Sequence, residues 1–247
     1  MEKLIPGIII PDCHHPYGDP KAWKLMMKAA RILKPKWVVV LGDFGDFYAV
    51  SSFTKDPSRA TQLDVEVLAC NEYLDEVDAL GCREKHFIAG NHEDRLERYL
   101  KAKAPELFET VKVERLFKLK ERRWTYTPYR EDLKLGAVYF THDTGSTTGR
   151  LAAYKALDTY QHSIITGHTH RLVQVVEGNA TGTQIVSAQF GWLGDIKQID
   201  YMHKIKARKD WALGFGVGYR RSNGFIYFAP VPLVEYSCVV EGRLVTL

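Results

Sequence analysis

Five short motifs in this chain carry side chains that can bind metal ions, and each motif follows an apolar run typical of a strand. They are Asp12-Cys13-His14, Gly42-Asp43-Phe44-Gly45-Asp46, Gly90-Asn91-His92-Glu93, Thr141-His142-Asp143 and Gly167-His168-Thr169-His170. In addition to His92, Asp46, Glu93 and Asp143, they supply two carboxylates, one amide oxygen and four imidazoles, enough for two ions. Such mixed ligands suit zinc, manganese, iron or nickel better than calcium or magnesium. Two ions of this kind close together are typical of hydrolysis at phosphorus or carbon.

The sequence between the motifs predicts strands that alternate with helices. Apolar runs predict strands over residues 5–10, 37–41, 86–89, 137–140 and 163–166, and helical spacing predicts helices over about 20–33, 61–80, 93–102 and 148–160. This order predicts a mainly parallel sheet, in which functional loops gather at the carboxyl ends of the strands. We therefore expect the motifs to meet at one edge of the fold.

The last third of the chain has a different pattern. Short alternating runs near residues 172–176, 184–188, 235–240 and 244–246 predict an antiparallel second sheet. The expected fold class is α/β, with a two-sheet β-sandwich flanked by helices. At 247 residues the chain is long enough to bury a sizeable core. We expect residues 1–247 to form a single domain, with an elaborated basic and aromatic segment at about 190–231.

Composition indicates the cellular location of the protein more clearly than the reaction it catalyses. The net charge of +4 fits an anionic substrate but is common among enzymes without one. The four cysteines show no CxxC spacing, and the start of the chain lacks the apolar stretch of a signal peptide, so we expect reduced thiols and a cytoplasmic location. Because no apolar run approaches the roughly 20 residues of a membrane span, we expect no membrane partner. The sequence gives no basis for predicting the oligomeric state.

Taken in order, the motifs resemble those of the calcineurin-like metallophosphoesterase superfamily. That pattern is D-x-H, G-D-x-x-D, G-N-H-[DE], a lone H and G-H-x-H, and every part of it is present between residues 12 and 170. The resemblance implies a four-layer α/β/β/α fold and hydrolysis of phosphate esters. It also implies two divalent metal ions, with manganese preferred and zinc, iron or nickel as alternatives.

The resemblance also implies a role for each motif side chain. Asp12, His14 and His170 would hold one ion, Asn91, His142 and His168 would hold the other, and Asp43 would bridge both. Ions roughly 3.5–4 Å apart bind a water between them and lower its pKa, so that hydroxide can attack phosphorus in line. His92 would protonate the leaving group or stabilise the equatorial oxygens, and Asp46 would keep His92 charged and oriented.

Two residues next to the predicted ligands are not expected to bind metal. Successive side chains in extended backbone point to opposite faces, so His15 is not expected to reach the ion that His14 binds. We interpret His15 as a possible substrate contact. Cys13 is expected to point away from the site and to pack in the core.

Two basic stretches favour a phosphodiester in nucleic acid or nucleotides as the substrate. The first, residues 112–123, contains Lys112, Arg115, Lys118, Lys120, Arg122 and Arg123. The second, residues 190–231, combines Trp192, Tyr201, Trp211, Phe215, Tyr219, Phe225, Tyr227 and Phe228 with Lys204, Lys206, Arg208, Lys209, Arg220 and Arg221. Basic groups neutralise phosphates and aromatic rings stack on bases, so DNA, RNA or a nucleotide is the expected partner. Aromatic residues in alternating strands also commonly pack a sheet face.

Two alternatives stay open. One is a phosphomonoesterase that acts on a small phosphorylated metabolite or nucleotide. The other is a non-catalytic module that binds nucleic acid or a protein. Phosphoprotein phosphatases of the superfamily carry an arginine directly after G-D-x-x-D, where this chain has Phe47, so that group is disfavoured. Residues 190–231 resemble the closing region of metallophosphoesterases encoded by tailed bacteriophages, which would place the protein in a bacterial host cytoplasm.

Overall fold

A six-stranded sheet carries the first three motifs. In the computed structural model, residues 2–52, 55, 62–145, 149–198 and 210–247 are described. The strands of this sheet are β1 (Ile5–Ile10), β2 (Trp37–Val40), β3 (Glu84–Ile88), β4 (Thr125–Thr127), β10 (Gly214–Arg220) and β11 (Ile226–Pro232). Their order is β11-β10-β1-β2-β3-β4, with β1 to β4 parallel and β10 and β11 antiparallel. The parallel strands therefore bring the first three motifs to one edge.

A five-stranded sheet carries the last two motifs. Its strands are β5 (Leu133–Leu135), β6 (Val138–Thr141), β7 (Ser163–Thr166), β8 (Leu172–Gly178) and β9 (Gln184–Phe190), in the order β5-β6-β7-β9-β8. The predicted strands near residues 172–176 and 184–188 are β8 and β9, which pair antiparallel as expected. The centre of the sheet differs from the prediction, because β7 pairs parallel with both β6 and β9, while β5 pairs antiparallel with β6 at the other edge. The reason is the helix α5 (Ala152–Tyr160), which returns the chain across the sheet between β6 and β7.

Four further helices complete the described fold. They are α1 (Pro20–Leu33), α2 (Leu63–Asp78), α3 (Asn91–Lys103) and α4 (Val113–Leu116). The Asp19 side chain caps α1 by accepting hydrogen bonds from the backbone of Lys21 and Ala22. Helix α3 begins two residues before its predicted start, so Asn91 and His92 form its first turn rather than a preceding loop. None of the described helices is long and apolar enough to span a membrane.

The described structure has four layers, and a group of buried side chains packs between each pair of neighbouring layers. Ile8 and Val38 pack with α1 and α2 on one face of the first sheet. On its other face, Ile9 and Val39 pack against residues of the second sheet such as Phe140. A third group joins the far side of the second sheet to α5. This arrangement of helix, sheet, sheet and helix confirms the predicted two-sheet sandwich flanked by helices.

The closing strands lie elsewhere than expected. The predicted strands near 235–240 and 244–246 are β12 (Ser237–Val240) and β13 (Arg243–Thr246), which form a separate hairpin against α1 rather than part of the second sheet. Strand β10 and all but the last residue of β11 fall within the segment 190–231, and both strands belong to the first sheet. Glycines weaken the strand pattern of β10, but a Cβ atom on Gly216 would lie 2.6 Å from the Phe190 ring. The glycine is therefore needed for packing between the two sheets.

Candidate two-metal centre

The first ligand cluster joins the two sheets at the ends of β1 and β7. The His170 Nε2 atom lies 3.1 Å from the Nε2 atom of His14 and 3.1 Å from the Oδ2 atom of Asp12. All three residues are buried. Ligand atoms about 2.0–2.2 Å from one metal ion, at tetrahedral or octahedral angles, lie about 3–3.5 Å from one another. The spacing of these three residues therefore fits a single ion.

Unsatisfied atoms in this cluster point to the same conclusion. Asp12 Oδ1 accepts a hydrogen bond from the backbone N–H of His168, at 3.1 Å. Asp12 Oδ2 is buried with His170 Nε2 beside it at 3.1 Å, and His170 Nδ1 is buried without a hydrogen-bond partner among the described residues. A buried carboxylate with so few partners is costly, since it has lost its hydration. A cation at this position would satisfy it.

The second ligand cluster contains Asp43, Asn91, His142 and His168. The Asn91 Oδ1 atom lies 3.0 Å from His142 Nε2 and 2.8 Å from His168 Nδ1. Asp43 Oδ2 lies 3.4 Å from His142 Nε2. These distances again match the spacing of ligands around one ion. Together, the two clusters contain every residue that was predicted to bind metal.

The hydrogen bond of His142 to the backbone aims its free nitrogen at this cluster. Its Nδ1 atom donates to the carbonyl oxygen of Leu41 at 2.7 Å, which leaves Nε2 facing the oxygens of Asn91 and Asp43. A neutral Nε2 and these oxygens are all acceptors, so only a cation or a proton can stabilise their convergence. Although burial disfavours the imidazolium, the Asp43 carboxylate raises the pKa of His142 to about 10 when no metal is bound. A metal ion would replace that proton.

Asp43 lies at the junction of the second and third motifs. Its Oδ1 atom accepts the backbone N–H of His92 at 2.9 Å. A Cβ atom on Gly90 would lie 2.2 Å from that same oxygen, so only glycine leaves room for the carboxylate. The ligand atoms of Asp43, His142 and His168 lie within 4.8 Å of one another. Its role as a bridge to the first cluster stays a prediction.

Four of the predicted ligands have unusual backbone conformations. His14, Asp43, His168 and His170 have φ angles of 55°, 47°, 66° and 57°. Non-glycine residues in this left-handed region cost about 1–3 kcal/mol each and persist where the surrounding structure holds them. Each residue follows the end of a strand, where a sharp turn directs its side chain into the site. The sequence pattern gave no sign of this strain.

Glu93 ties the second motif to the third. Its Oε2 atom accepts hydrogen bonds from the backbone of Asp43 at 2.9 Å and of Gly90 at 2.7 Å, and its Oε1 atom accepts from Gly45 at 2.9 Å. Burial and the nearby Asp43 carboxylate raise the pKa of Glu93 to about 7 in the absence of metal. Sequence reasoning assigned Glu93 no function. Its position in the third motif could have identified it as a residue of the site.

The two predicted catalytic residues contact each other. His92 Nδ1 lies 2.7 Å from Asp46 Oδ1, and His92 Nε2 lies 3.7 Å from Asp43 Oδ2, at the edge of the second cluster. Although burial opposes ionisation of Asp46, hydrogen bonds from His14 and His92 hold its pKa well below the ordinary value. The ligand atoms of His14, Asp46 and His92 also lie within 4.8 Å of one another. Geometry alone therefore permits either a catalytic or a metal-binding role for His92.

Arg95 is a member of the site that sequence reasoning missed. Its Nη2 atom lies 2.8 Å from His92 Nε2, and its Nη1 atom donates to the carbonyl oxygen of Asp46 at 3.0 Å. Arg95 follows His92 by three residues in α3, a spacing that places two side chains on the same helix face. That spacing could have identified it.

His15 and Cys13 pack away from the site. The His15 ring stacks on Tyr73 at a centroid distance of 3.6 Å and is buried, and burial holds its pKa well below the ordinary value. The suggestion that His15 contacts substrate is therefore wrong, because surrounding aromatic rings occupy the space around it. Cys13 is buried in the core, as expected.

Two tryptophans from the aromatic stretch lie against the first cluster. The Trp192 ring stacks on His170 at a centroid distance of 4.7 Å, and the Trp211 ring meets the same imidazole edge-on at 4.2 Å. Trp192 is buried and Trp211 is partly exposed. These rings fix one wall of the site. Tyr201, Lys204, Lys206, Arg208 and Lys209 lie outside the described residues.

Several other residues of the two stretches have structural contacts. Phe215 is buried in the core. Arg220 pairs with Glu84 at 2.6 Å and lies opposite Ile5, at the end of β1 away from the metal-binding motifs. Arg122 pairs with Asp75 and Asp78 at 2.6 and 2.7 Å. These arginines therefore contribute to packing between elements, and the positive charge of both stretches is partly neutralised.

Comparisons with known proteins agree with the motif pattern. A family model described as calcineurin-like phosphoesterase matches residues 6–172, which contain all five motifs. The Gene 54 protein of Mycobacterium phage D29 is 27% identical over 239 residues, covering 88% of this chain and 89% of that protein. A single mutant of Vps29 from Entamoeba histolytica has a TM-score of 0.46 and 14% identity, covering 97% of this chain and 96% of that one. Yfce, a phosphoesterase from E. coli, has a TM-score of 0.43 and 14% identity, covering 92% and 99%.

Proposed function

The chain belongs to the calcineurin-like phosphoesterase family, and from this premise we propose that it is a two-metal hydrolase of phosphodiesters in nucleic acid or nucleotides. The observation that carries the proposal is the completeness of the site. Both ligand clusters are assembled from the expected side chains, and the pair formed by His92 and Asp46 lies beside them. A family member that had lost turnover would be expected to have lost some of these residues.

The donor atoms of the two clusters suit divalent ions. Manganese is our preferred metal, and zinc, iron or nickel fit the same imidazole and oxygen ligands. When bound, such ions supply Lewis acidity and a source of hydroxide at neutral pH. His14, His142, His168 and His170 would bind them as neutral imidazoles, with Asp12, Asp43 and Asn91 supplying oxygen atoms.

His92 is placed to serve the leaving group. Asp46 accepts from Nδ1 and fixes the plane of the ring, so Nε2 points toward the second cluster. From there a protonated Nε2 can donate to the oxygen that departs from phosphorus. Asp46 would stabilise the imidazolium that this step requires.

The aromatic wall supports a substrate that contains a base. Trp211 is partly exposed beside His170, and a nucleobase could stack on such a ring next to a bound phosphate. The match to a phage protein supports a place for the reaction in a bacterial host cytoplasm. The second candidate function is phosphomonoester hydrolysis. The Arg95 guanidinium beside His92 favours it, because a terminal phosphate carries an additional negative charge.

Two synthetic esters distinguish these functions. Hydrolysis of bis-p-nitrophenyl phosphate and of p-nitrophenyl phosphate is measured with manganese, with His92→Ala as the control for contaminating enzymes and His162→Ala as a matched exposed histidine outside the site. Preference for the diester would support the proposal and lead to assays with DNA, RNA and cyclic nucleotides. Preference for the monoester would replace it with the second function. Bound metal without hydrolysis of either ester would indicate a non-catalytic binding module.

A further inference from the structure

The Arg95 side chain covers the nitrogen of His92 that faces the metal clusters. Its Nη2 atom lies 2.8 Å from His92 Nε2, and the side chain is only 15% exposed. A guanidinium has five N–H donors and no acceptor, and it stays charged at all relevant pH values. Nε2 must therefore be the acceptor, and the ring proton must lie on Nδ1. There it faces the carboxylate and carbonyl oxygens of Asp46.

This arrangement blocks the atom that the reaction needs. While Arg95 donates to Nε2, His92 cannot donate a proton from Nε2 to a departing oxygen. Nε2 is the His92 nitrogen that lies near the second cluster, at 3.7 Å from Asp43 Oδ2, so the guanidinium that donates to it lies close to a phosphate bound at that cluster. Substrate binding must therefore displace Arg95 from Nε2.

The positive charge of Arg95 has weak partners in this arrangement. Its close partners are a neutral ring nitrogen and the backbone carbonyl oxygen of Asp46. Among the described residues, its only carboxylate within 4.0 Å is that of Asp46, at 3.7 Å, which His92 and His14 already share. By contrast, Arg122 has carboxylate oxygens at 2.6 and 2.7 Å. A phosphate oxygen would be a stronger partner for Arg95 than any it has here.

We propose that Arg95 is a substrate-binding residue whose guanidinium moves from His92 Nε2 to a non-bridging oxygen of the bound phosphate. The same movement frees Nε2 for the leaving group. The phosphate thus supplies the free energy for the exchange, and His92 becomes available only when a phosphate is present. This inference rests on the proposed function, since it concerns the substrate of the same site.

Binding of inorganic phosphate tests the proposal without turnover. Its affinity for the manganese-loaded protein is measured by calorimetry for Arg95→Ala, Arg95→Lys and the control Arg98→Ala, whose exposed side chain pairs with Asp94 on the same helix. We expect Arg95→Ala to weaken phosphate binding about 10- to 100-fold, as for loss of a charge-assisted hydrogen bond. Arg95→Lys should recover part of that affinity, and Arg98→Ala should match wild type. Metal content should be unchanged in all three.

The nitrogen resonances of the histidines provide a second readout on the metal-free protein. The His92 signals, assigned by their loss in His92→Gln, should show a proton on Nδ1 in wild type, and the Nε2 resonance should shift in Arg95→Ala. Unchanged phosphate affinity in Arg95→Ala, or metal loss in both Arg95 variants, would overturn the proposal. Failure of wild type to hydrolyse any ester would instead refute the proposed function, while phosphate affinity would still report on Arg95.

Discussion

Asp12 illustrates, at the scale of a single residue, why the site depends on a cation. Its carboxylate is buried, and the neighbour of Oδ2 is the imidazole of His170, a residue also expected to bind metal. In the second cluster, Asn91 and Asp43 direct oxygens at His142 Nε2, while the Nδ1 atom of the same ring donates to Leu41, so that a proton or a metal ion must lie at Nε2. Without a cation, the first arrangement leaves a buried carboxylate oxygen poorly compensated, and the second needs an additional proton on a buried imidazole. Side chains in each cluster therefore have a lower free energy with metal bound.

Removal of a ligand should affect metal content and turnover together. We expect His168→Ala to lose the ion of the second cluster, and Asp43→Asn to weaken metal binding there because a neutral amide replaces the carboxylate. Activity should fall by at least about 100-fold in both. Elemental analysis alongside ester hydrolysis tests this, with His162→Ala as control. Near-normal turnover with metal retained in either variant would refute the assignment of these ligands.

Truncation of His92 should separate catalysis from metal binding. If His92 acts as a general acid held by Asp46, His92→Ala should keep its metal and lose about 10²- to 10⁴-fold in turnover. Single-turnover kinetics and metal analysis of the same samples measure both quantities. Loss of metal from this variant would make His92 a ligand, as its proximity to His14 and Asp46 permits.

At the scale of elements, the start of α3 fixes the loop that follows β2. Glu93 accepts three backbone hydrogen bonds, two of them from Asp43 and Gly45 in that loop. Asp43 has a positive φ angle and would otherwise relax from it. The helix therefore sets the position of a metal ligand through a side chain that does not itself bind metal.

Substitution of Glu93 should weaken metal binding indirectly. Glu93→Ala leaves three buried N–H groups without an acceptor, so we expect a loss of about 3 kcal/mol or more in the free energy of unfolding. Glu93→Gln keeps one acceptor oxygen, which can serve Asp43 and Gly90, and should cost less. Urea denaturation and manganese titration measure the two effects, with Glu97→Gln on the same helix as control. Equal stability of Glu93→Ala and wild type would contradict this role.

The sequence predicted the elements that carry clear periodicity and missed those that depend on distant partners. The apolar runs were sufficient to predict the parallel strands β1, β2 and β3. The order of the motifs, through its resemblance to a known family, predicted which side chains gather in each ligand cluster. Strand β10 was missed because glycines such as Gly216 weaken its pattern, and they are needed only because Phe190 packs there. The role of Glu93 was missed because two of its partners, Asp43 and Gly45, lie in a different motif that only the fold brings near. Arg95 was missed although its spacing from His92 in α3 places both side chains on one helix face.

At the scale of the whole molecule, the metal clusters connect the two sheets. Asp12 and His14 follow a strand of the first sheet, and His170 follows a strand of the second. The second cluster likewise combines Asp43 and Asn91 with His142 and His168. A metal ion in either cluster would therefore cross-link the two halves of the sandwich. Bound ions should stabilise the fold as a whole, because the unfolded chain cannot reproduce these clusters.

Metal removal should consequently lower the thermal stability of the protein. Free metal at a hundred times its dissociation constant contributes about 2.7 kcal/mol per site, and each kcal/mol corresponds to about 2–4 °C in a protein of this size. We therefore expect the melting temperature to fall by at least about 5 °C on chelation and to recover when manganese is added back. Calorimetry measures both, with His168→Ala showing a smaller change. An unchanged melting temperature would show that the clusters do not hold metal.

The most direct test of a two-metal phosphoesterase is a titration of manganese into the metal-free protein, with bound metal and hydrolysis of bis-p-nitrophenyl phosphate followed in the same samples. We expect hydrolysis to increase as ions bind and to reach its maximum at two ions per chain, and His92→Ala should bind the same amount without comparable turnover. Saturation with metal and no hydrolysis of this diester or of p-nitrophenyl phosphate would contradict the assignment of the chain as a phosphoesterase.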